Sequence, residues 1–482
     1  MTDLLFTPEQ AAHAASLTGA FIDRYLQTVD QRPVFPIVDR DALRAIMDAP
    51  LPELGTSVDT LFAELDSVVV PNSTHTAHPR FLSYVMPSPN GLSPYAEAAT
   101  AALNQNCGLW PVAPAATAIE QTVTRWFADL FGFGQAAGGL IVSGGSMANM
   151  VGLTAARDWF LGESARTDGL QGRSSPLTLY TSTEVHSSID KAVSMLGLGT
   201  KHLRRIPCDA QFRMRLDLLE AAVAADREAG LSPCCVIATA GTVMTGAIDP
   251  IADIAAFCKR EGLWLHVDGA YGALTALSDR YRESLSAVSL ADSVSLDPHK
   301  FLFTSFEAGC VLVKDRATLR HAFHVAPSYL AIHEDPDFIN YSDHGPQLSR
   351  GFKALKVWWS LRHFGRKAYG ATIDGLFDLA SYMGQLASEQ PEFELLAPVV
   401  YNCVCFRLRD LSDAQNQRVL ARLVEGGTAF LGPARVYGVS GFRACFMSLR
   451  TSSADVDIIV REISRLGRVV RAEDGAQQAS VR

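Results

Sequence analysis

Six short apolar runs constrain this chain more than any other feature: Leu140-Ile-Val, Leu177-Thr-Leu-Tyr, Cys235-Val-Ile-Ala, Leu263-Trp-Leu-His-Val, Val294-Ser-Leu and Cys310-Val-Leu-Val. Amphipathic helical stretches separate them, and strands that alternate with helices predict an α/β domain built on a mostly parallel sheet covered on both faces. Such a sheet places ligands outside the carboxyl ends of its strands. Polar residues just after each apolar run are therefore the first candidates for chemistry.

Two of those strand ends stand out. The run that ends in Ser293-Val-Ser-Leu is followed by Asp297-Pro298-His299-Lys300, and the run from Leu263 closes on Asp268-Gly-Ala270-Tyr. A lysine amine in apolar surroundings either has a depressed pKa or takes a covalent role such as a Schiff base. An aspartate on a neighbouring strand end offers a partner for a protonated ring nitrogen. Lysine and aspartate together are the two anchors that pyridoxal 5'-phosphate (PLP) requires. Read alone, Asp268 is a cap or turn former and Lys300 a surface charge; their combination in this order is the specific signal.

Two further strand ends add to it. Ser143-Gly144-Gly145-Ser146-Met-Ala-Asn149 follows one strand and opens an apolar-periodic helix. Glycines let backbone N–H groups approach a phosphate, the helix terminus adds positive potential, and Ser146 offers a hydroxyl. The pattern is neither a Walker loop nor a dinucleotide fingerprint, and by itself it is equally a tight packing turn. Glu184-Val-His186 follows another strand and sets an imidazole at the same edge, where it can stack on a pyridine ring and bond a substrate carboxylate.

The chain has 482 residues, 48% of them hydrophobic and 19% charged, enough for a large core and more than one domain. Its net charge of -9, with no runs of Lys or Arg, argues against a nucleic-acid or anionic membrane surface and for a small-molecule substrate. Nine cysteines lack the paired spacing of a zinc site, so no metal is expected. The sequence begins without a basic, apolar leader, and no stretch reaches the ~20 apolar residues of a membrane span, which sets a cytoplasmic expectation. Thr7-Pro8-Glu9-Gln10 reads as a capping box, and the tail from Glu473 to Ser480 reads as frayed. The irregular stretch 326–349 reads as a lid or functional loop.

Motif by motif, the chain resembles the PLP-dependent group II amino-acid decarboxylases, which include aromatic-L-amino-acid, glutamate and diaminobutyrate decarboxylases. His78-Pro-Arg-Phe81 resembles the family's HPRF entrance, and Trp110-Pro-Val-Ala-Pro114-Ala-Ala-Thr117-Ala-Ile-Glu120 its SPAxTELE segment. His186-Ser-Ser is similar to the ring-stacking histidine, Ala238-Thr239-Ala-Gly-Thr242 to ATxGT, His266-Val-Asp268-Gly-Ala270-Tyr to HVDAAY and Asp297-Pro-His299-Lys300 to N/DPHK. The resemblance implies a fold type I enzyme with a seven-stranded, mostly parallel sheet in the large domain and a smaller C-terminal α+β domain. It implies residues 1–85 as an N-terminal helical segment on a partner subunit, 86–370 as the PLP domain and 371–482 as the small domain.

It further implies a homodimer with shared active sites and Lys300 as the Schiff-base lysine. Asp268 then partners the ring nitrogen and His186 its face, with Gly145, Ser146, Thr239, Ala270, Asp297 and His299 around the cofactor. Tyr341, nine positions before Arg350, takes the place of the family's proton-donating tyrosine, whose presence favours simple decarboxylation over aldehyde formation. Phe81, Trp110 and, from the adjoining subunit, Phe306 are candidates for a pocket that takes an aromatic or other hydrophobic side chain, although aromatics are equally core residues in a chain of this size. Acidic and diamino acids stay open as substrates. Two departures stand out: Gly269 replaces the alanine of HVDAAY, expected to be harmless, and Ser349-Arg350-Gly351 replaces Gly-Arg-Arg.

Overall fold

A computed structural model describes residues 4–325, 335 and 337–481, the last five by backbone alone. Of the 326–349 stretch read as a loop, residues 326–334 and 336 lie outside the described residues. In chain order the strands are β1 (Phe81–Leu82), β2 (Gly138–Val142), β3 (Leu177–Ser182), β4 (Leu203–Ile206), β5 (Ser232–Thr239), β6 (Trp264–Asp268), β7 (Ser293–Leu296), β8 (Gly309–Val313), β9 (Phe393–Leu395), β10 (Cys403–Leu408), β11 (Phe430–Val436) and β12 (Val439–Cys445).

β2 to β8 form a seven-stranded sheet in the order β2-β8-β7-β6-β5-β3-β4. Each neighbouring pair is parallel except those made by β8, which runs antiparallel to both β2 and β7. All six apolar runs are strands of this sheet. The seventh, β4, has the sequence Leu203-Arg-Arg-Ile with only its two ends buried, so an apolar scan passes over it. Its position at the edge explains why two arginines are tolerated there.

The chain divides into two compact units, one of residues 89–380 and 397–403, the other of 1–88, 381–396 and 404–482. In the second unit β1 pairs in parallel with β11, so the N-terminal segment shares a sheet, ordered β1-β11-β12-β10-β9, with the C-terminal strands. Thr7 and Gln10 form the reciprocal capping box, with bonds of 3.2 and 2.9 Å. The tail does not fray at Glu473. The last helix continues from Ser453 to Val481, and Arg418 and Arg422 of the helix Asp413–Glu425 hold Glu473 while Gln415 and Arg418 hold Asp474. Among the described residues no helix is long and apolar enough to cross a membrane.

One buried ion pair ties the segment before the helix Ala354–Glu389 to the sheet. Arg350 donates to Glu120 at 2.5 Å and to the Ile141 carbonyl at 2.7 Å, while Glu120 also accepts the Ile141 N–H at 2.8 Å. Tyr341 lies beneath the guanidinium, 4.7 Å from carbon to ring centroid. Burial without hydrogen-bonded partners would be costly for either charge, so the pair is informative about what happens when one partner is removed. Arg350→Met is expected to lower unfolding free energy by about 3–5 kcal/mol in denaturant titration, since Glu120 is left buried and charged. Tyr341→Phe, which removes a buried hydroxyl with no close hydrogen-bond partner among the described residues, should instead change stability by no more than about 1 kcal/mol.

Candidate active site

The carboxyl ends of β2, β3, β5, β6 and β7 meet at one edge of the large sheet. Thr239 is in register with Asp268, and Asp268 with Ser295, so three polar residues stand side by side on three strand ends. Directly after β7 the short helix Pro298–Phe301 turns Lys300 back toward Asp297, and its Nζ lies 2.9 Å from Asp297 Oδ2. Asp297 is almost fully buried, and its other oxygen has no hydrogen-bond partner among the described residues. His299 Nε2 is 3.6 Å from the same Oδ2, and burial lowers the His299 pKa.

Asp268 is buried and well supplied with donors. Asn149 Nδ2 donates to Oδ2 at 3.0 Å; Ser295 Oγ and the Ala270 N–H donate to Oδ1 at 3.1 and 3.2 Å. His186 stands on the loop between β3 and the helix Ser188–Met195, its Nδ1 2.8 Å from Ser188 Oγ and accepting the Ser188 N–H at 3.2 Å. Burial pushes the imidazole below its ordinary value and Lys300 acts in the same sense, while Asp268 and Asp297 oppose them. A neutral His186 with Nδ1 occupied as an acceptor carries its proton on Nε2.

The glycine turn after β2 is shaped by close approach. A Cβ on Gly145 would come within 2.7 Å of Ala270 Cβ and 2.8 Å of Asp297 Oδ2, and one on Gly309 within 2.4 Å of Gly144 Cα. The helix Gly145–Leu161 begins there with no side-chain cap, leaving its first N–H groups and the exposed Ser146 free to receive an anion. Gly269 is likewise a packing residue: a Cβ would meet Ala273 Cβ at 2.6 Å and the Ser295 carbonyl at 2.9 Å. The expectation that this departure costs only backbone entropy is therefore incomplete, because β6 and β7 have closed onto the missing methyl.

These features fit PLP. Thr239 Oγ1 and Asp297 Oδ1 are buried polar atoms without partners among the described residues, the glycine turn and helix terminus suit its phosphate, Asp268 suits its ring nitrogen and Lys300 its aldehyde. Backbone around Thr239 is braced by Asp249, which accepts the N–H groups of Thr239 and Met214 at 2.7 and 2.6 Å.

Other expected site residues are placed elsewhere. Tyr341 is 1% exposed and belongs to the core beside the sheet, where burial raises its pKa and the charges acting on it are those of Glu120 and Arg350. In the described structure its ring packs under the Arg350 guanidinium. Phe81 is also 1% exposed and packs edge-on to Phe430 at 5.3 Å in the core of its own unit, so its ring lines no open pocket there. Trp110 stacks on Phe338 at 5.0 Å. Phe306 alone of the three is open, 56% exposed with its ring 4.6 Å from that of His299. Sequence reading passed over Asn149, Ser188, Ser295 and His266; Asn149 follows Gly145 by four positions on one helix face, a spacing that marked it out.

Residues 41–409 match the pyridoxal-dependent decarboxylase conserved domain. The aromatic-L-amino-acid decarboxylase of Bacillus atrophaeus is 32% identical over 456 residues, covering 92% of this chain and 93% of its own length. A phenylacetaldehyde synthase of Arabidopsis thaliana is 29% identical over 447 residues, with coverages of 89% and 90%. Among solved structures, Oryza sativa TDC with PLP and tryptamine superposes with a TM-score of 0.90 at 27% identity, over 97% of this chain and 99% of the other. The fold and site therefore define a PLP-dependent carboxy-lyase acting on amino acids. The chain belongs to the pyridoxal-dependent decarboxylase family.

His266, wholly buried next to Asp268, is pushed down to about 4 by burial. Between that value and the ordinary ~6.5 of an exposed imidazole, the unfolded chain binds the proton and the folded one does not. Stability from this group is present above pH 6.5 and is lost as pH falls toward 4, on the order of 3 kcal/mol. Asp249, raised to about 6 by burial, acts in the opposite sense. Thermal melts between pH 7 and 4 should thus show a shallower acid-side decline in His266→Gln than in the parent; parallel curves would remove His266 from the account.

Proposed function

We propose that the chain decarboxylates an aromatic L-amino acid to its amine and carbon dioxide, with Lys300, Asp268 and His186 as the residues in contact with cofactor or substrate. The observation that carries the substrate class is Phe306, an exposed aromatic ring against His299 and only six positions beyond Lys300. An exposed aromatic face packed on His299, the residue next to Lys300, favours a flat apolar side chain over a carboxylate. The aromatic-amino-acid activity named for the Bacillus relative supports the same reading.

PLP supplies an acceptor for the electron pair left at the α-carbon when the carboxyl group departs. Lys300 would hold the cofactor through its aldehyde, and Asp297 Oδ2, 2.9 Å from Nζ, is placed to receive the amine when the substrate takes its position. Asp268, which accepts from three donors, would partner the ring nitrogen. Gly145, Ser146 and the helix terminus would take the phosphate, with Thr239 and Ala270 near the ring. His186, its Nδ1 engaged by Ser188, would lie against the ring and offer its Nε2–H to the substrate carboxylate.

A second reading is oxidative conversion to the aldehyde, with dioxygen as electron acceptor; Tyr341, the residue expected to favour the amine, is 1% exposed in the described structure. The Arabidopsis relative named phenylacetaldehyde synthase lies at comparable identity. Carbon dioxide release by the holoenzyme, screened over the common amino acids, dopa, 5-hydroxytryptophan, cysteine sulfinate and diaminobutyrate with products identified by mass, tests both. One aromatic amine in equal yield with carbon dioxide supports the proposal. Aldehyde with ammonia and carbon dioxide, matched by dioxygen uptake and hydrogen peroxide, supports the second reading, and turnover confined to acidic substrates sinks the aromatic assignment. Lys300→Ala must be inactive and must not gain cofactor mass on borohydride treatment.

The partner is proposed to be a second copy, seated on the N-terminal segment. Helices Pro8–Thr28, Arg40–Met47 and Val58–Glu64 bury no residue in the single chain, and Ile37, Met47, Leu51 and Leu54 are each more than 80% exposed. That much apolar surface in one segment marks a protein interface. Sedimentation should give a dimer for the full chain and a monomer when Met47, Leu51 and Leu54 are changed to Glu; a monomeric parent refutes the assignment.

A further inference from the structure

A continuous hydrogen-bonded chain runs from the core to the candidate site, and Asn149 is its branch point. Trp264 Nε1 donates to Ser293 Oγ at 2.9 Å, and Ser293 Oγ lies 2.8 Å from His266 Nδ1. His266 Nε2 lies 2.9 Å from Asn149 Oδ1, and Asn149 Nδ2 reaches both Asp268 Oδ2 and Ser188 Oγ at 3.0 Å. Ser188 in turn meets His186 Nδ1.

Chemistry fixes the direction of every bond. An ionised carboxylate only accepts, so the amide nitrogen of Asn149 must face Asp268 and its oxygen must face His266. His266 therefore carries its proton on Nε2, and Ser293, receiving the indole N–H, gives its own hydrogen to His266 Nδ1. Ser188, receiving the second amide hydrogen of Asn149, gives its hydroxyl hydrogen to His186 Nδ1. All four ring nitrogens and both amide hydrogens are thereby assigned, and none of these groups is free to turn alone. The packing is built for it: a Cβ on Gly152 would stand 2.7 Å from His266 Cε1, so only glycine at that helix position lets the imidazole lie against the helix that bears Asn149.

We propose that Asn149 is a positioning residue which, held by His266, fixes the Asp268 carboxylate and the His186 imidazole as one rigid bracket for the cofactor ring. This rests on the assignment of Asp268 and His186 to that ring. His266 touches neither cofactor nor substrate in this scheme, and its influence passes through Asn149.

The test uses the purified full chain with and without PLP. In Asn149→Ala, kcat is expected to fall about tenfold or more with KM within about threefold, because orientation rather than substrate binding is lost. His266→Leu should show the same split more weakly, and His266→Gln, whose amide can still donate to Asn149, should recover most of the rate. In the Asn149→Ala background His266→Leu should add less than about twofold, the signature of two residues acting through one path. Histidine-selective ¹⁵N spectra of the apo protein should show His186 as one Nε2–H tautomer in the parent and as a shifted or averaged signal in Asn149→Ala.

A residue that serves only the fold would lower the melting temperature while leaving kcat per folded molecule and the His186 signal unchanged, and that result overturns the proposal. Multiplicative effects of the two substitutions overturn it as well. Asp268→Ala and His186→Ala separate this failure from failure of the underlying assignment: if PLP titration of these apo variants matches the parent, the ring assignment is wrong, whereas if they weaken PLP and Asn149→Ala behaves as the parent, only the bracket is wrong.

Discussion

An ionised carboxylate inside a protein is stable only where donors surround it, and Asp268 meets that demand from three directions. Asn149 comes from the helix after β2, Ser295 from β7 and the Ala270 N–H from the turn after β6. The requirement fixes the spacing of those elements, because each donor reaches only about 3 Å. It also explains the glycines around the site: Gly145, Gly152 and Gly269 are the places where strand, helix and turn approach one another too closely for a methyl group. The electrostatics of one side chain and the packing of the sheet edge are thus a single constraint.

The large sheet was legible in the sequence wherever a strand was apolar throughout, as in β5 and β7, since a strand buried on both faces leaves no alternation to misread. It failed at β4, whose Arg204 and Arg205 reflect an edge position that only the sheet order reveals. The tail was misread for a related reason. Glu473 and Asp474 read as solvent-facing charge, and nothing local announces that Arg418 and Arg422, about fifty residues earlier, are their partners.

For the site, motif order nominated Lys300, Asp268, His186 and the glycine turn, each at a fixed distance from a strand end, and the structure sets those strand ends at one edge of the sheet. Tyr341 was nominated by its place in the family pattern and Phe81 by residue type within the HPRF match, and neither criterion distinguishes a ring that faces a pocket from one that fills a core. The helpers Asn149, Ser188 and Ser295 escaped because small polar residues are common at strand and helix ends. Their meaning lies in which partner they share.

The antiparallel insertion of β8 has a consequence for how the molecule assembles. Lys300 and Asp297 are three residues apart on the connection between two adjacent strands, while the Ser295–Asp268 bond spans 27 residues and the Asn149–Asp268 bond spans 119. Contacts of short separation close sooner than distant ones. The Lys300–Asp297 contact needs only local chain, whereas the bonds around Asp268 need the assembled sheet. The proposed handle for the cofactor thus belongs to a local segment, and the pocket around it to the finished fold.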